Sequence, residues 1–280
     1  MKKYVITIII LFAIILLSIG GYFIYSQAKT NKSNSTNTLK EKGFSEIEFL
    51  SLEIVSMMNQ INNISYSNFK MVNEEIPNFD QSQENSIETE NTINNSKIES
   101  DGILTSDNSK IDWNSLKNKI ESMYSSWTTV MMDLSTLNVN KENLTQYNNI
   151  MDEITKSFEK EDKKASLTHL SDLHNLLSQY LKDFSDDSQK ISVFTVKSYI
   201  LYAYSYCEQD DWDNVTNCIA KAKQEFSNIL NNQMTNVNDI DIINKAYILI
   251  NELEKNSKNK DKDIFYINYS NLMQELENIG

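Results

Sequence analysis

The chain of 280 residues contains no arginine; every basic side chain in it is a lysine. Without guanidinium forks, planar two-point recognition of phosphate or carboxylate is closed to it. A formal net charge of -13 points the same way, because nucleic-acid binding by counterion release needs clustered cations. Glycine and proline are also scarce, at 5 and 1, and neither occurs between Ile103 and Ile279. Phosphate-cradling loops and dinucleotide folds need glycine at their turns, so both are excluded. Two histidines and two cysteines complete the short supply. No HExxH, GxSxG or paired Glu-x-x-His pattern is present, which leaves hydrolase, zincin and di-iron chemistry without support.

What the chain has in abundance is helical periodicity. A stretch this long without breakers, with apolar residues recurring at threes and fours, reads as all-α. Before it, Tyr4–Tyr25 is an uncharged apolar run long enough to cross a bilayer, preceded by Lys2 and Lys3. Its length favours an uncleaved anchor over a signal peptide cut after Ser26-Gln27-Ala28. Lysines follow the run as well as precede it, and the Met-Lys-Lys start sets the expectation that the bulk of the chain is extracytoplasmic. The expected organisation is a transmembrane anchor at 1–27, a flexible tether at 28–44 and an amphipathic helix at 45–65. A low-complexity, disordered linker at 66–110 and a helical-hairpin domain at 111–280 follow. The helix at 45–65 carries Ile47, Leu50, Ile54, Met57, Ile61 and Ile64, and either packs on the main domain or dimerises as a coiled coil. The linker, rich in Glu, Asn, Ser and Thr, holds too little apolar surface to offset the entropy of ordering it.

From Asp112 the stripes become continuous. Trp113, Leu116, Ile120, Met123, Trp127, Val130, Leu134 and Leu137 mark one helix, and Leu144, Tyr147, Met151, Ile154 and Phe158 the next. Leu170, Leu173, Leu177, Tyr180 and Phe184 mark a third. Asn140 and, further on, Asn238 are expected helix caps. The stretch Ile191–Cys207 has no single stripe: Val193, Val196, Ile200, Ala203 and Cys207 line one track, and Tyr199, Tyr202 and Tyr206 the next. Apolar coverage over most of a helix's circumference implies neighbours on several sides. Short connections between helices of this length force antiparallel neighbours.

The hairpin at 199–226 resembles the thirty-four-residue tetratricopeptide pattern. Tyr199 and Tyr202 stand at its large positions, Ala203 at the small residue of the helix crossing and Tyr206 at the next aromatic. After the turn, Trp212 opens the second helix, with Val215 at a position usually small, Ile219 at the bulky one and Ala222 at the second small one. Asp210 replaces the turn glycine and Ser227 the closing proline, and no second copy recurs at the right period. The chain also resembles membrane-anchored helical proteins of unknown activity from low-GC Gram-positive bacteria. The expected fold is antiparallel helical hairpins packed as a TPR-like α-array or bundle, and the tetratricopeptide resemblance implies a superhelix with a concave face for peptides or partner proteins.

Candidate chemistry is thin. His169 and Asp172, three apart, share a helix face and form half of a metal site, while His174 falls off that face and reads as a surface or boundary residue. Cys207 and Cys218 lie at different levels of one hairpin and read as free buried thiols. Asp210-Asp211-Trp212-Asp213 lacks the alternating ligands of a calcium loop and reads as a helix cap. The tyrosines of Ile191–Cys207 read as core. No cofactor is expected. The functional expectation is therefore a membrane-anchored scaffold for protein or peptide partners, with no catalytic residue, no nucleic acid, and homo-oligomerisation open. The alternative is an envelope ligand- or metal-binding helical bundle.

Overall fold

The computed structural model describes residues 37–62, 110–232 and 240–279, and these are helical with no strand among them. Helix α1 spans 37–61. After it come α2 (Trp113–Thr136), α3 (Lys141–Glu159), α4 (Lys163–Phe184), α5 (Ser188–Glu208), α6 (Trp212–Asn232), α7 (Ile240–Asn259) and α8 (Lys262–Glu277). The expected anchor, the first part of the tether, the end of the 45–65 helix, the low-complexity linker up to 109 and the Asn238 cap lie outside the described residues. Among the described residues no helix is long and apolar enough to cross a membrane.

The chain makes tight reversals without glycine. Asn138, Glu161, Asp210 and Lys260 each take a left-handed φ, between 54° and 64°. At each, the left-handed residue donates its N–H three residues back and the following residue donates five back, as Asp210 does to Cys207 and Asp211 to Tyr206. This satisfies the carbonyls stranded at a helix end. In three of the four turns the next residue caps the following helix at once. Asp162 accepts from Ala165 N–H, Asp211 from Asn214 N–H and Asp261 from Ile264 N–H, all at 3.1–3.2 Å. A non-glycine residue in this conformation costs of the order of 1 kcal/mol, and the cap offsets it. The Asp210–Asp213 run is thus a turn and cap.

From α2 to α8 each helix packs on the next, and α5 additionally meets α8. The buried apolar residues of all eight helices form one continuous cluster. Two expectations need correction. The tether does not extend to 44: residues 37–44 are already helical in α1, and their Lys40 and Lys42 pair with Asp186 (2.5 Å) and Asp133 (2.6 Å). On the same turns Gly43 lies close to Leu137, and the Phe44 ring packs edge-on against Phe194. His174 is not a surface or boundary residue; it is completely buried.

Candidate functional site

Helix α1 lies with one side against the other helices. Its stripe of Ile47, Leu50, Ile54, Met57, Met58 and Ile61 is buried, and the polar residues beside that stripe are used for register. Gly43 sits so close to α2 that a Cβ there would come within 2.7 Å of Leu137 Cδ1. Two turns on, Ser51 Oγ lies 2.8 Å from His174 Nε2 on α4. Two turns further, Asn59 Oδ1 accepts from the Tyr269 hydroxyl of α8 at 3.2 Å. The neighbouring Met58 carbonyl accepts from the Tyr204 hydroxyl of α5 at 3.1 Å. A small residue, a hydroxyl and an amide, spaced eight apart and so turning progressively round α1, thus meet α2, α4 and α8 in turn.

The floor of this groove is the α4–α5 interface, built as an antiparallel row of polar contacts. Thr168 faces Ser205 (3.3 Å), Ser171 donates to the Leu201 carbonyl (3.1 Å), His174 meets Ser198 (2.8 Å) and Ser178 meets Thr195 (3.0 Å). Ser198 Oγ gives its only proton to the Phe194 carbonyl. It therefore accepts from His174 Nδ1–H, which leaves Nε2 as the acceptor for the Ser51 hydroxyl. The imidazole is neutral and fully paired. Burial, followed by the nearby Lys197, pushes its pKa down to about 3.

Lys197 is the one buried lysine of α5. Burial lowers its pKa, opposed by the carboxylates of Glu277 on α8 and Glu48 on α1. At the far end of α5, Glu208 joins three helices. It accepts from Tyr266 and pairs with Lys163 at 2.8 Å. Burial works to raise its pKa, but these two partners, with Lys262 beyond, hold it below the ordinary carboxylate value.

The residues singled out in the sequence fall as follows. Ala203, Val215, Ile219 and Ala222 are fully buried in the α5–α6 hairpin. Tyr199, Tyr202, Tyr206 and Trp212 are only half-buried, packed against the core from its margin, so these tyrosines are not core; Tyr204 is. Tyr202 donates to Asp172 at 2.8 Å, and the same carboxylate lies 3.8 Å from His169 Nδ1. Asp172 is thus engaged in holding α5 to α4, and no group of three or more metal-ligating side chains exists among the described residues. Cys207 and Cys218 are free and buried, and burial raises their pKa values to about 12 and about 11. Such thiols stay protonated and are poor nucleophiles.

Sequence reasoning missed Ser51, His174 and Ser198. A signal existed for two of them. His174 is four residues after Leu170 and three before Leu177, and Ser51 is likewise placed between Ile47 and Ile54, so each lies on the apolar stripe.

One face of α1 stays open. Phe49 and Leu52 are 49% and 44% exposed there. Phe49 also borders a cleft of about 260 Å³ against α2, with Ser122 and Ser126 opposite. A larger cleft, of about 570 Å³, lies at the start of α1 between Lys40, Phe44 and the α4–α5 turn. In comparisons with known proteins, no family model, curated protein or solved structure matches the chain.

Proposed function

We propose that the protein is a membrane-anchored, extracytoplasmic helical scaffold that binds protein or peptide partners. The observation that carries the reading is the seating of α1, an amphipathic helix held in a groove by buried apolar anchors and by side chains that set its register. Helix-in-groove recognition of partners uses the same elements. The tetratricopeptide-like pattern of α5 and α6 supports an array with such a face, and Tyr4–Tyr25 supports the anchor. The described thiols and the buried imidazole are held in inert protonation states, in keeping with recognition as the task.

With the groove filled, the open face of α1 around Phe49 and Leu52 offers an exposed apolar surface to an outside partner. Photo-reactive residues placed at these two positions of the full chain, in its own membrane, are expected to capture the same envelope protein. Capture of nothing at either position, or recovery of the full chain in the soluble fraction, overturns the reading.

A further inference from the structure

The outer face of α1 carries a second pattern beside the stripe that it buries. Ser45, Phe49, Leu52 and Ser56 are all exposed and recur at four, three and four, the spacing of a helix–helix seam. The two serines are engaged within the molecule. Ser45 donates to the Glu41 carbonyl at 3.1 Å, and Ser56 Oγ accepts from Lys119 of α2 at 2.8 Å. Between them Phe49 and Leu52 remain 49% and 44% exposed, an apolar pair with nothing of its own chain over it.

A hollow suited to such a pair lies next to it. The cleft of about 260 Å³ between α1 and α2 is lined in part by Met123, Ser122 and Ser126. Ser126 donates to the Ser122 carbonyl at 3.1 Å, so an aromatic ring seated against it strands no hydroxyl there. Glu53 and Lys119 line the same cleft, and neither has an ion-pair partner among the described residues. One patch thus holds an apolar knob, a hollow, an unpaired anion and an unpaired cation. A symmetric interface requires a surface that is complementary to itself under a two-fold rotation. Because both halves of each pairing are present here, the partner this patch fits is a second copy.

We propose that two copies of this chain dock through this face, each seating Phe49 in the other's α1–α2 cleft and setting Glu53 against the other's Lys119. Leu52 lies beside the two-fold axis and packs on the other copy's α1. Each α1 stays in its own groove throughout, and the two α1–α2 pairs come together as four helices. The net charge of -13 on each copy opposes approach, but at physiological salt it is screened beyond about 8 Å, so the contacts within the patch decide. The inference rests on the reading of Phe49 and Leu52 as a docking surface and deepens it by naming the partner.

The unpaired charges supply the test. Two versions of the full chain, bearing different epitope tags and a photo-reactive residue in place of Leu52, are co-expressed and irradiated in the membrane. The expected product is an adduct of twice the chain mass that carries both tags. Glu53→Lys in both versions, or Lys119→Glu in both, sets like charges together at each of the two symmetric contacts and should cut this adduct by about tenfold or more. Glu53→Lys in one version and Lys119→Glu in the other restores opposite charges at both contacts, and the doubly tagged adduct should return at least to its original level. Such recovery separates an interface from a variant that merely misfolds. An adduct with a different protein in place of a second copy, an adduct that neither variant weakens, or one that the mixed pair does not restore would overturn the proposal. The first of these leaves the docking surface itself standing, whereas capture of nothing removes both.

Discussion

Helices α3 and α5 are of similar length and contribute to the same core, yet they relate to water in opposite ways. Helix α3 buries Leu144, Tyr147, Met151, Ile154, Ser157 and Phe158 and turns the rest of its surface to solvent. Helix α5 buries residues on every side, including Ser192, Thr195, Lys197, Ser198 and Ser205. The first is an edge helix with a single packing partner on each flank of one stripe. The second is met by α4, α6 and α8, and its Tyr204 reaches α1. Helix α1 is closer to the second case, open only along the row that carries Phe49 and Leu52. The difference shows that the interior of this protein is organised by two enclosed helices, and that enclosure is what brings polar side chains inside.

The comparison can be tested most sharply at α1. Leu50 is fully buried, so Leu50→Ala should cost about 2–5 kcal/mol, the range for a leucine removed from a close-packed core. Urea unfolding of the full chain reads this directly. An unchanged midpoint would mean that α1 is not part of the cooperative core.

Towards the end of α5, which packs on α4, α6 and α8, Ala203 is fully buried. Ala203→Leu should overpack the α5–α6 crossing expected at this residue and cost about 1–3 kcal/mol. An unshifted melting temperature would show that the two helices do not approach closely at that point.

The buried imidazole gives the enclosed region a pH signature that α3 lacks. His174 has its folded pKa held at about 3, against 6.5 in the unfolded chain. Between these values the unfolded state takes up a proton that the native state refuses. Stability from this group is therefore fully present above pH 6.5 and falls as pH drops toward 3. The loss is about 1.4 kcal/mol per pH unit, or about 2 kcal/mol by pH 5. His174→Gln removes this dependence, so the stability difference between wild type and variant should shrink as pH falls from 6.5 to 5. A constant difference would mean that the histidine is already charged in the folded protein.

The smallest effect belongs to the edge. Asn149 is exposed on α3, and Asn149→Leu should change stability by no more than about 0.5 kcal/mol. A large change there would mean that another element covers the outer face of α3.

Much of this architecture was legible in the sequence because it is local or one-sided. The stripe from Trp113 to Leu137 and the stripe from Leu144 to Phe158 are buried residue for residue. Asn140 caps α3, accepting from Glu142 N–H at 2.8 Å, as a side chain of that type before an apolar run should. The site was harder to see. A lone histidine among polar neighbours reads as surface unless its place on the stripe is weighed, and its partners Ser51 and Ser198 are distant in sequence.

The amino-acid sequence by itself determined that the protein is all-α, where most of its helices stop, and which face each edge helix buries. Those features follow from the 3.6-residue period, from caps within a few residues of the helix they serve, and from the lack of breakers after Ile103. Only the tertiary structure decided that α1 packs into the same core as the other helices, that residues 37–44 belong to it, and that His174, Ser198 and Lys197 are inside while Tyr199 and Tyr206 stand at the margin. Periodicity describes burial from one side. Where several helices enclose another, which polar groups go inside is settled by the hydrogen-bonding partners that the other helices bring to them.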